Sequence, residues 1–186
     1  EHANKVLSEL EAIDEIFFYN KDNINIRVGT TLTIASTFAP ILCHDIQEKY
    51  PKLHLQVYVD NTQSIENMLL ENQLDIAIVE GDIHSDMIIH EPIIKDQLAL
   101  VCSCENQFSQ YESVTPEQLK HESFVVREKG SGTRAMLEQF MNIYKLPFHI
   151  TWQCHSWESV KQAVIFNHGL TLISLRLVEK ELYEGL

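Results

Sequence analysis

The segment VVREKGSGTRAMLEQF, residues Val125 to Phe140, decides how the chain is interpreted. An apolar, β-branched run leads into a turn that holds Gly130 and Gly132, and the turn opens into residues with the apolar spacing of a helix. Free N–H groups and the positive end of the helix dipole make such a turn a ready anion site. The segment therefore predicts a strand–turn–helix unit whose first helical turn can hold a ligand.

Two nucleotide-binding motifs fit this turn poorly. A Walker A loop needs a lysine and a spacing that GSGTR does not have. Gly130, Gly132 and Ala135 match the G-x-G-x-x-A pattern of dinucleotide-binding proteins, but the next strand ends in TWQCH, where that class carries an acid.

A small-anion site and a purely structural turn remain as alternatives. In the first, the amides and hydroxyls of this turn bind the ligand, and the predicted site residues are Ser131, Gly132, Thr133 and Arg134. In the second, Ser131 only caps its helix and Arg134 pairs with Glu128 or Glu138.

The rest of the chain alternates strand and helix patterns. IRVGT, LHLQVYV and LDIAIV predict three strands separated by two helices, with Pro40 tolerated near the start of the first helix. Continuous apolar strands in this order predict a parallel sheet covered on both faces. Residues 87–103 have an extended pattern without a helix signal.

A second series of strands and helices begins at Thr115, where Thr-Pro-Glu-Gln is a strong helix start. It continues through SFVVRE, a helix at 133–144, FHITWQC, a helix from Ser156 to Phe166, LTLIS and a short helix at 176–183. The pattern predicts an α/β fold with two small lobes around a cleft.

The carboxyl ends of the predicted strands carry hydrogen-bonding residues in both series. In open α/β sheets ligands bind at these ends. The first lobe supplies GTTLT and VEGD, from which the predicted ligand-binding residues are Thr30, Thr31, Thr33 and Glu80. Alternatively, the threonines only cap the following helix. Their match with GSGTR in the other lobe favours a clamp around a ligand.

The composition narrows the class of partner. With 27 acidic and 14 basic residues, the formal net charge is −13, which argues against binding nucleic acid or a membrane surface through general electrostatics. No apolar run reaches the roughly 18 to 20 residues of a membrane helix, and no leader marks the chain for export. Four cysteines are too sparse for a disulfide scaffold, so a cytoplasmic setting is expected.

Catalysis has little support in the sequence. It contains no G-x-S-x-G elbow, no H-E-x-x-H helix and no cysteine with a placed base. Trp152, His155 and Trp157 lie near the rim of the second lobe, where they either line the cleft or pack in the core. We therefore predict a protein that is not an enzyme, with no catalytic residue, no cofactor and no metal site.

Several dispersed motifs together resemble the effector-binding domain of LysR-type transcriptional regulators. In order, they are GTTLTIASTFAPILCHDIQEKYP, NQLDIAIVEG, DQLALVCS, REKGSGTRAMLE and SVKQAVIFNHGLTLIS, and the similarity runs from about Ile24 to Ser174. The resemblance implies a type 2 periplasmic-binding-protein fold, in which two Rossmann-like lobes are joined by two crossover segments. One departure is Asn167 beside Gly169, where the family usually has two glycines; Asn also tolerates a left-handed backbone.

The resemblance also implies a division of the chain. Residues 1–22 would be the end of a linker helix, residues 23–95 and 173–186 regulatory lobe I, and residues 96–172 regulatory lobe II. An N-terminal winged helix-turn-helix would bind DNA in the full protein, and a final strand would follow Leu186; neither lies in this chain.

The function implied is that of an effector sensor. Thr31 and Thr33 match first-lobe effector contacts of the family, and REKGSGTR is most similar to members that sense small oxyanions or phosphorylated metabolites. The expected partners are an anionic small molecule and further copies of the chain, as a dimer or, in the full protein, a tetramer. Glu80 would repel an anion unless it is protonated or paired with Arg134 or another cation. The alternative is that Glu80 selects a cationic or protonated ligand. The alternative function is a periplasmic-type solute-binding protein of a transporter.

Overall fold

The computed structural model describes residues 24–185, so the linker helix predicted for residues 1–22 lies outside the described part of the chain. The first lobe contains three strands and three helices: β1 (Ile24–Thr31), α1 (Leu32–Thr37), α2 (Ala39–Lys49), β2 (Leu53–Asp60), α3 (Thr62–Leu70) and β3 (Ile76–Ile78). The strands are parallel in the order β2-β1-β3, which confirms the predicted parallel order. The prediction that both faces of this sheet are covered was wrong for the described residues, because Val57, Val59 and Ile76 are 40–55% exposed.

Pro40 explains why the first predicted helix is divided in two. The break falls at Phe38, and Pro40 occupies the first turn of α2, where its missing N–H costs no helical hydrogen bond. Helix α3 begins at an Asn61 cap, whose side chain accepts from the Ser64 amide at 3.0 Å. Residues 79–97 then run without a helix or strand.

The second lobe begins after the chain has crossed from the first. The remaining elements of the described chain are β4 (Leu98–Val101), 3-10 helices at Gln107–Gln110 and Pro116–His121, β5 (Ser123–Arg127), α4 (Gly132–Ile143), β6 (His149–Cys154), α5 (Trp157–Ile165), β7 (Thr171–Ser174), a 3-10 turn at Leu175–Leu177 and α6 (Glu179–Glu184). The helix predicted at Thr115 is present as a tighter 3-10 helix closed by the predicted capping box.

Strand pairing in this part of the chain is split between two ladders. β5 pairs with β6 in parallel, β4 pairs with β7 antiparallel, and a single parallel bridge joins Phe124 to Leu170. The predicted turn before β7 also forms: Asn167 has φ 58° and Gly169 has φ 150°. The β4–β7 pair carries the chain between the lobes. The lobe boundaries at residues 95/96 and 172/173 stay predictions.

Strand β5 forms the centre of the second lobe because both of its faces are buried. Val125 packs with Trp157, Val160 and Ile173 on one side, while Phe124 and Val126 belong to a cluster with Leu137, Met141 and Leu170 on the other. Burial of each such side chain stabilises the fold by about 1.5–3 kcal/mol. The strand therefore holds its carboxyl end, and the turn that follows, on a rigid support.

No helix within residues 24–185 combines the length and the apolar character needed to cross a membrane.

Candidate functional site

The predicted strand-end loops meet where the two lobes touch. Thr33 lies in the first turn of α1, Glu80 follows β3, and Thr133 lies in the first turn of α4. Both threonines are almost fully buried. The structure thus brings together residues that are far apart in the chain and come from both lobes.

The Glu80 carboxylate is the centre of this contact. Its Oε1 accepts a hydrogen bond from Thr33 Oγ1 at 2.6 Å and a second from Thr133 Oγ1 at 3.1 Å. Both distances lie within or just beyond the usual range for hydroxyl donors. Because Thr133 belongs to the second lobe and Glu80 to the first, the carboxylate bridges the cleft.

Trp157 extends this network. Its indole Nε1–H donates to Thr33 Oγ1 at 3.0 Å. The Thr33 hydroxyl therefore accepts from Trp157 of the second lobe and donates to Glu80 within its own lobe. Trp157 also packs against Val125 and Val160. Trp157 therefore packs in the core and also reaches the first lobe through its N–H, so both alternatives for this tryptophan hold.

Backbone contacts flank the side-chain network. The Gln63 amide of α3 donates to the Gly130 carbonyl at 3.1 Å, and Thr62 Oγ1 donates to the Glu80 carbonyl at 2.8 Å. A Cβ on Gly132 would lie only 2.5 Å from that same Glu80 oxygen. Glycine at position 132 is thus what allows the two backbones to approach this closely.

A buried ion pair lies beside the network, at the end of β5. Arg127 donates to both Glu128 oxygens, at 2.9 and 2.8 Å, and its guanidinium lies 4.9 Å from the Trp157 ring centre. Burial acts to raise the pKa of Glu128, but hydrogen bonds from Arg127, from its own backbone and from Asn61, together with the charge of Arg127, outweigh it and hold the pKa below its ordinary value. Arg127 is not among the predicted site residues, although a cation in an otherwise apolar strand is a signal that the sequence offers.

Burial changes the charge expected at Glu80. It raises the pKa of this carboxyl above its ordinary value, against the opposing hydrogen bonds from Thr33 and Thr133 and the positive charge of Arg127. A group whose charged form is penalised in this way takes up a proton more readily. Glu80 is therefore less of an obstacle to an anion than its residue type suggests.

Arg134 and Ser131 make contacts within the second lobe. Arg134 pairs with Glu138 at 2.7 Å and donates to the Arg127 carbonyl and to Gln153 Oε1 at 3.0 and 2.7 Å. Ser131 Oγ accepts from the Arg134 amide at 3.5 Å as the cap of α4. These contacts favour a positioning role for both side chains, which fix the turn that presents Thr133.

Two buried polar atoms in the predicted site have no hydrogen-bond partner: Thr31 Oγ1 and Glu80 Oε2. Thr31 occupies the cap position of α1, yet its side chain makes no capping bond, so capping does not explain the residue. Thr30 is fully buried and donates only weakly, at 3.5 Å, to the Thr31 carbonyl. A buried hydroxyl without a hydrogen-bond partner costs free energy, which a ligand oxygen placed beside Thr31 would offset.

The space beside this network is small. A cavity of about 10 Å³ is lined by residues that include Arg127, Thr133, Arg134 and Trp157. A single water needs about 10–15 Å³ by the same measure. This cavity is lined by residues of the second lobe and is too small to admit a metabolite. In residues 24–185, no cluster of three or more His, Cys, Asp or Glu side chains is suited to hold a metal ion.

Two α/β lobes that face each other with hydroxyls, amides and one carboxyl define a two-lobe small-molecule-binding domain of the type 2 periplasmic-binding-protein fold. The chain belongs to the LysR substrate binding domain family, whose sequence profile matches residues 22–186. The family resemblance seen in the sequence is confirmed.

Individual relatives agree with this assignment. The chain is 29% identical over 183 residues to the uncharacterized HTH-type transcriptional regulator YeiE of Escherichia coli K12, covering 98% of this chain and 61% of that protein. It is 28% identical over 157 residues to the HTH-type transcriptional regulator CysL of Bacillus subtilis, covering 84% and 52%. The chain thus spans about half to three fifths of the length of these relatives.

Solved structures share the fold. The effector binding domain of QuiR in complex with shikimate matches with a TM-score of 0.74 at 17% identity, over 82% of this chain and 74% of that one. The regulatory domain of Synechocystis PCC6803 CcmR in complex with 2-PG matches with a TM-score of 0.68 at 22% identity, over 84% and 74%. At these identities the likeness concerns the fold, and it confirms the predicted architecture.

Proposed function

We propose that this chain is the effector-sensing part of a cytoplasmic, DNA-binding transcriptional regulator, and that it holds a small anionic metabolite between its lobes. The observation that carries the proposal is the meeting of Thr33 and Thr133, from opposite lobes, at one buried carboxylate oxygen. A two-lobe domain can bind a small polar ligand through hydroxyl groups on both sides of its cleft. DNA contact and assembly into dimers or tetramers would belong to the full protein.

The ligand-binding groups proposed are the hydroxyls of Thr30, Thr31, Thr33 and Thr133, together with the Glu80 carboxyl and the amides of the turn at 131–134. The unpartnered Thr31 hydroxyl supports this set, because a ligand oxygen would satisfy it. An anion fits the first turn of α4. The raised pKa of Glu80 is compatible with that charge, since burial disfavours the charged form of the carboxyl that would repel an anion.

Signal transfer would follow from the difference in affinity between lobe arrangements. An effector that binds the closed arrangement more tightly than the open one shifts the population toward closure. In an oligomer, that shift would move the DNA-binding segments relative to each other. The hydrogen bonds from Trp157 to Thr33 and from Gln63 to Gly130 support two-state closure, because each must break when the lobes separate.

Calorimetric titration of the domain with sulfate, sulfite, phosphate and small carboxylates tests the proposal. We expect one of these classes to bind, and Thr31→Ala and Thr133→Ala to weaken binding at least tenfold. Ser113→Ala, which removes an exposed hydroxyl outside the cleft, serves as the matched control. Unchanged affinity in both threonine variants would remove these residues from the site.

The transporter alternative shares the fold but has less support. The relatives reported above are named as transcriptional regulators, and the position of the threonines is equally compatible with either protein. The proposal that the chain is not an enzyme is tested by incubating it with the bound metabolite: recovery of the ligand unchanged is expected.

A further inference from the structure

The Glu80 carboxylate receives hydrogen bonds in the manner of a bound ligand. Oε1 accepts from hydroxyls of both lobes, Thr33 at 2.6 Å and Thr133 at 3.1 Å. The Thr133 hydroxyl belongs to the first turn of α4, a helix of twelve residues. These are the same donors that the proposed function assigns to the effector.

One oxygen position cannot hold two oxygens at once. Thr33 has a single hydroxyl proton, which it gives to Glu80, and it already accepts from Trp157 Nε1. An effector oxygen that takes this proton must therefore displace Glu80 Oε1. The remaining carboxylate oxygen, Oε2, is buried without a partner, so the side chain is fixed by one oxygen only. A carboxylate held on one side is the easier to displace.

The backbone delivers the side chain to this position. Gly81 adopts φ 89°, and the Thr62 hydroxyl of the same lobe donates to the Glu80 carbonyl at 2.8 Å, so the turn after β3 is fixed within the first lobe. The charged groups that act on the carboxyl are Arg127, which attracts it, and Asp96, which repels it. Arg127 is itself paired with Glu128, so hydroxyl donors rather than a direct ion pair hold Glu80 in place.

We propose that Glu80 is a resident occupant of an oxyanion subsite formed by Thr33 and Thr133, and that a carboxylate or other oxyanion group binds there by displacing it. This inference rests on the proposed function for its biological meaning, but the subsite itself needs no natural effector. In this arrangement Glu80 links the lobes through the same contacts that an effector uses. An effector must therefore bind the Thr33 and Thr133 hydroxyls more favourably than the Glu80 carboxylate does.

Chemical rescue with formate tests the subsite. Removal of the carboxyl in Glu80→Ala frees both hydroxyls, and formate supplies a carboxylate of the missing size. We expect formate, titrated by calorimetry and by thermal shift, to bind Glu80→Ala at least tenfold more tightly than the wild-type chain. Glu71→Ala, which removes an exposed carboxylate, should show no such gain.

Two further variants make the outcome specific. In Glu80→Gln an amide oxygen still occupies the position of Oε1, so no gain in formate affinity is expected. In Glu80→Ala combined with Thr133→Ala, the gain should fall by at least fivefold. Glu80→Ser gives the same measurement if Glu80→Ala does not fold, because it also removes the carboxyl.

Absence of rescue in Glu80→Ala and Glu80→Ser, or rescue that persists without the Thr133 hydroxyl, overturns the proposal. The outcome is separable from that of the proposed function. Formate rescue in a chain that binds no metabolite would leave the subsite standing and refute the sensor. A wild-type chain that binds a metabolite, with variants that ignore formate, would do the reverse.

Discussion

Replacing Gly132 with alanine should open the lobes without damaging either one. Gly132 is the first residue of α4, and a Cβ there would lie 2.5 Å from the Glu80 carbonyl oxygen and 3.0 Å from Gly81 Cα. These are backbone atoms of the other lobe, so they cannot rotate away. Overpacking of this kind costs about 1–3 kcal/mol.

This overpacking cost of Gly132→Ala applies only to the closed arrangement of the lobes. Alanine is a better helix former than glycine by about 0.5–1 kcal/mol, but that gain is the same in the open and closed arrangements and cancels from their ratio. A penalty of about 1–3 kcal/mol then raises the open fraction by roughly 5- to 150-fold. If only the closed arrangement binds tightly, effector affinity should fall by the factor by which the closed fraction falls, which is large only once the open arrangement predominates.

Amide hydrogen exchange can measure this ratio at single residues. The Gln63 amide donates to the Gly130 carbonyl across the lobes, whereas the Ile65 amide donates to Asn61 within its own helix. In Gly132→Ala the Gln63 amide should exchange faster by the factor above, while the Ile65 amide keeps its rate. The two amides lie two positions apart, so general loss of stability would affect both.

Gly29→Ala is a control that should change amide exchange inside the first lobe instead of at the contact between the lobes. A Cβ on Gly29 would meet Leu74 and Ile65 side chains inside the first lobe, at 2.5 and 2.9 Å. This variant should accelerate exchange at Ile65. Equal changes at Gln63 and Ile65 in Gly132→Ala, or none at Gln63, would refute the idea that this glycine controls lobe contact.

Three further perturbations test the energetics. Because burial raises the folded-state pKa of Glu80 above the unfolded value, wild-type stability should fall as pH rises through that raised pKa. The melting temperature of Glu80→Gln relative to wild type should therefore increase over the same rise in pH; a constant difference would contradict this. Arg27 lowers the pKa of Asp75 to about 2, so the stabilisation lost in Asp75→Asn at pH 6 should vanish as pH falls through about 2, checked by thermal melts; a pH-independent loss would argue against the pair. Arg134→Leu should lower the free energy of unfolding in urea by about 2–4 kcal/mol, since it removes buried hydrogen bonds to a charged group. A loss no greater than that of the more exposed control Arg176→Leu would show that those bonds contribute little.

Local patterns predicted most of the fold because they act over a few residues. The helix starts at Ser131, Asn61 and Ser156 are each encoded by a side chain that accepts from an amide three positions on. The type of the Pro116–His121 helix was not predictable in the same way. Its capping box fixes where the helix begins. The six residues between the Thr115 cap and Glu122, just before β5, leave room only for a short, tight helix.

The site was harder to predict because its contacts join distant parts of the chain. The hydrogen bond from Trp157 to Thr33 spans 124 residues. The apolar periodicity of a helix predicts that a tryptophan is buried, but not that its N–H contacts the other lobe. Arg127 was overlooked for a related reason: its role depends on Trp157 and Glu128 packing around it, which a strand pattern does not show. The strand-end rule nevertheless placed Thr33, Glu80 and Thr133 in one set, since it follows from sheet topology.

The position of Trp157 has a practical consequence for finding the effector. Of the two tryptophans in the chain, Trp157 is buried with its N–H on the other lobe, whereas Trp152 is about half exposed. Indole emission shifts to longer wavelength when the ring meets water. A Trp152→Phe chain would therefore carry a single tryptophan, located at the lobe junction. A metabolite library could then be screened by the shift in the emission wavelength of Trp157, without attaching any dye.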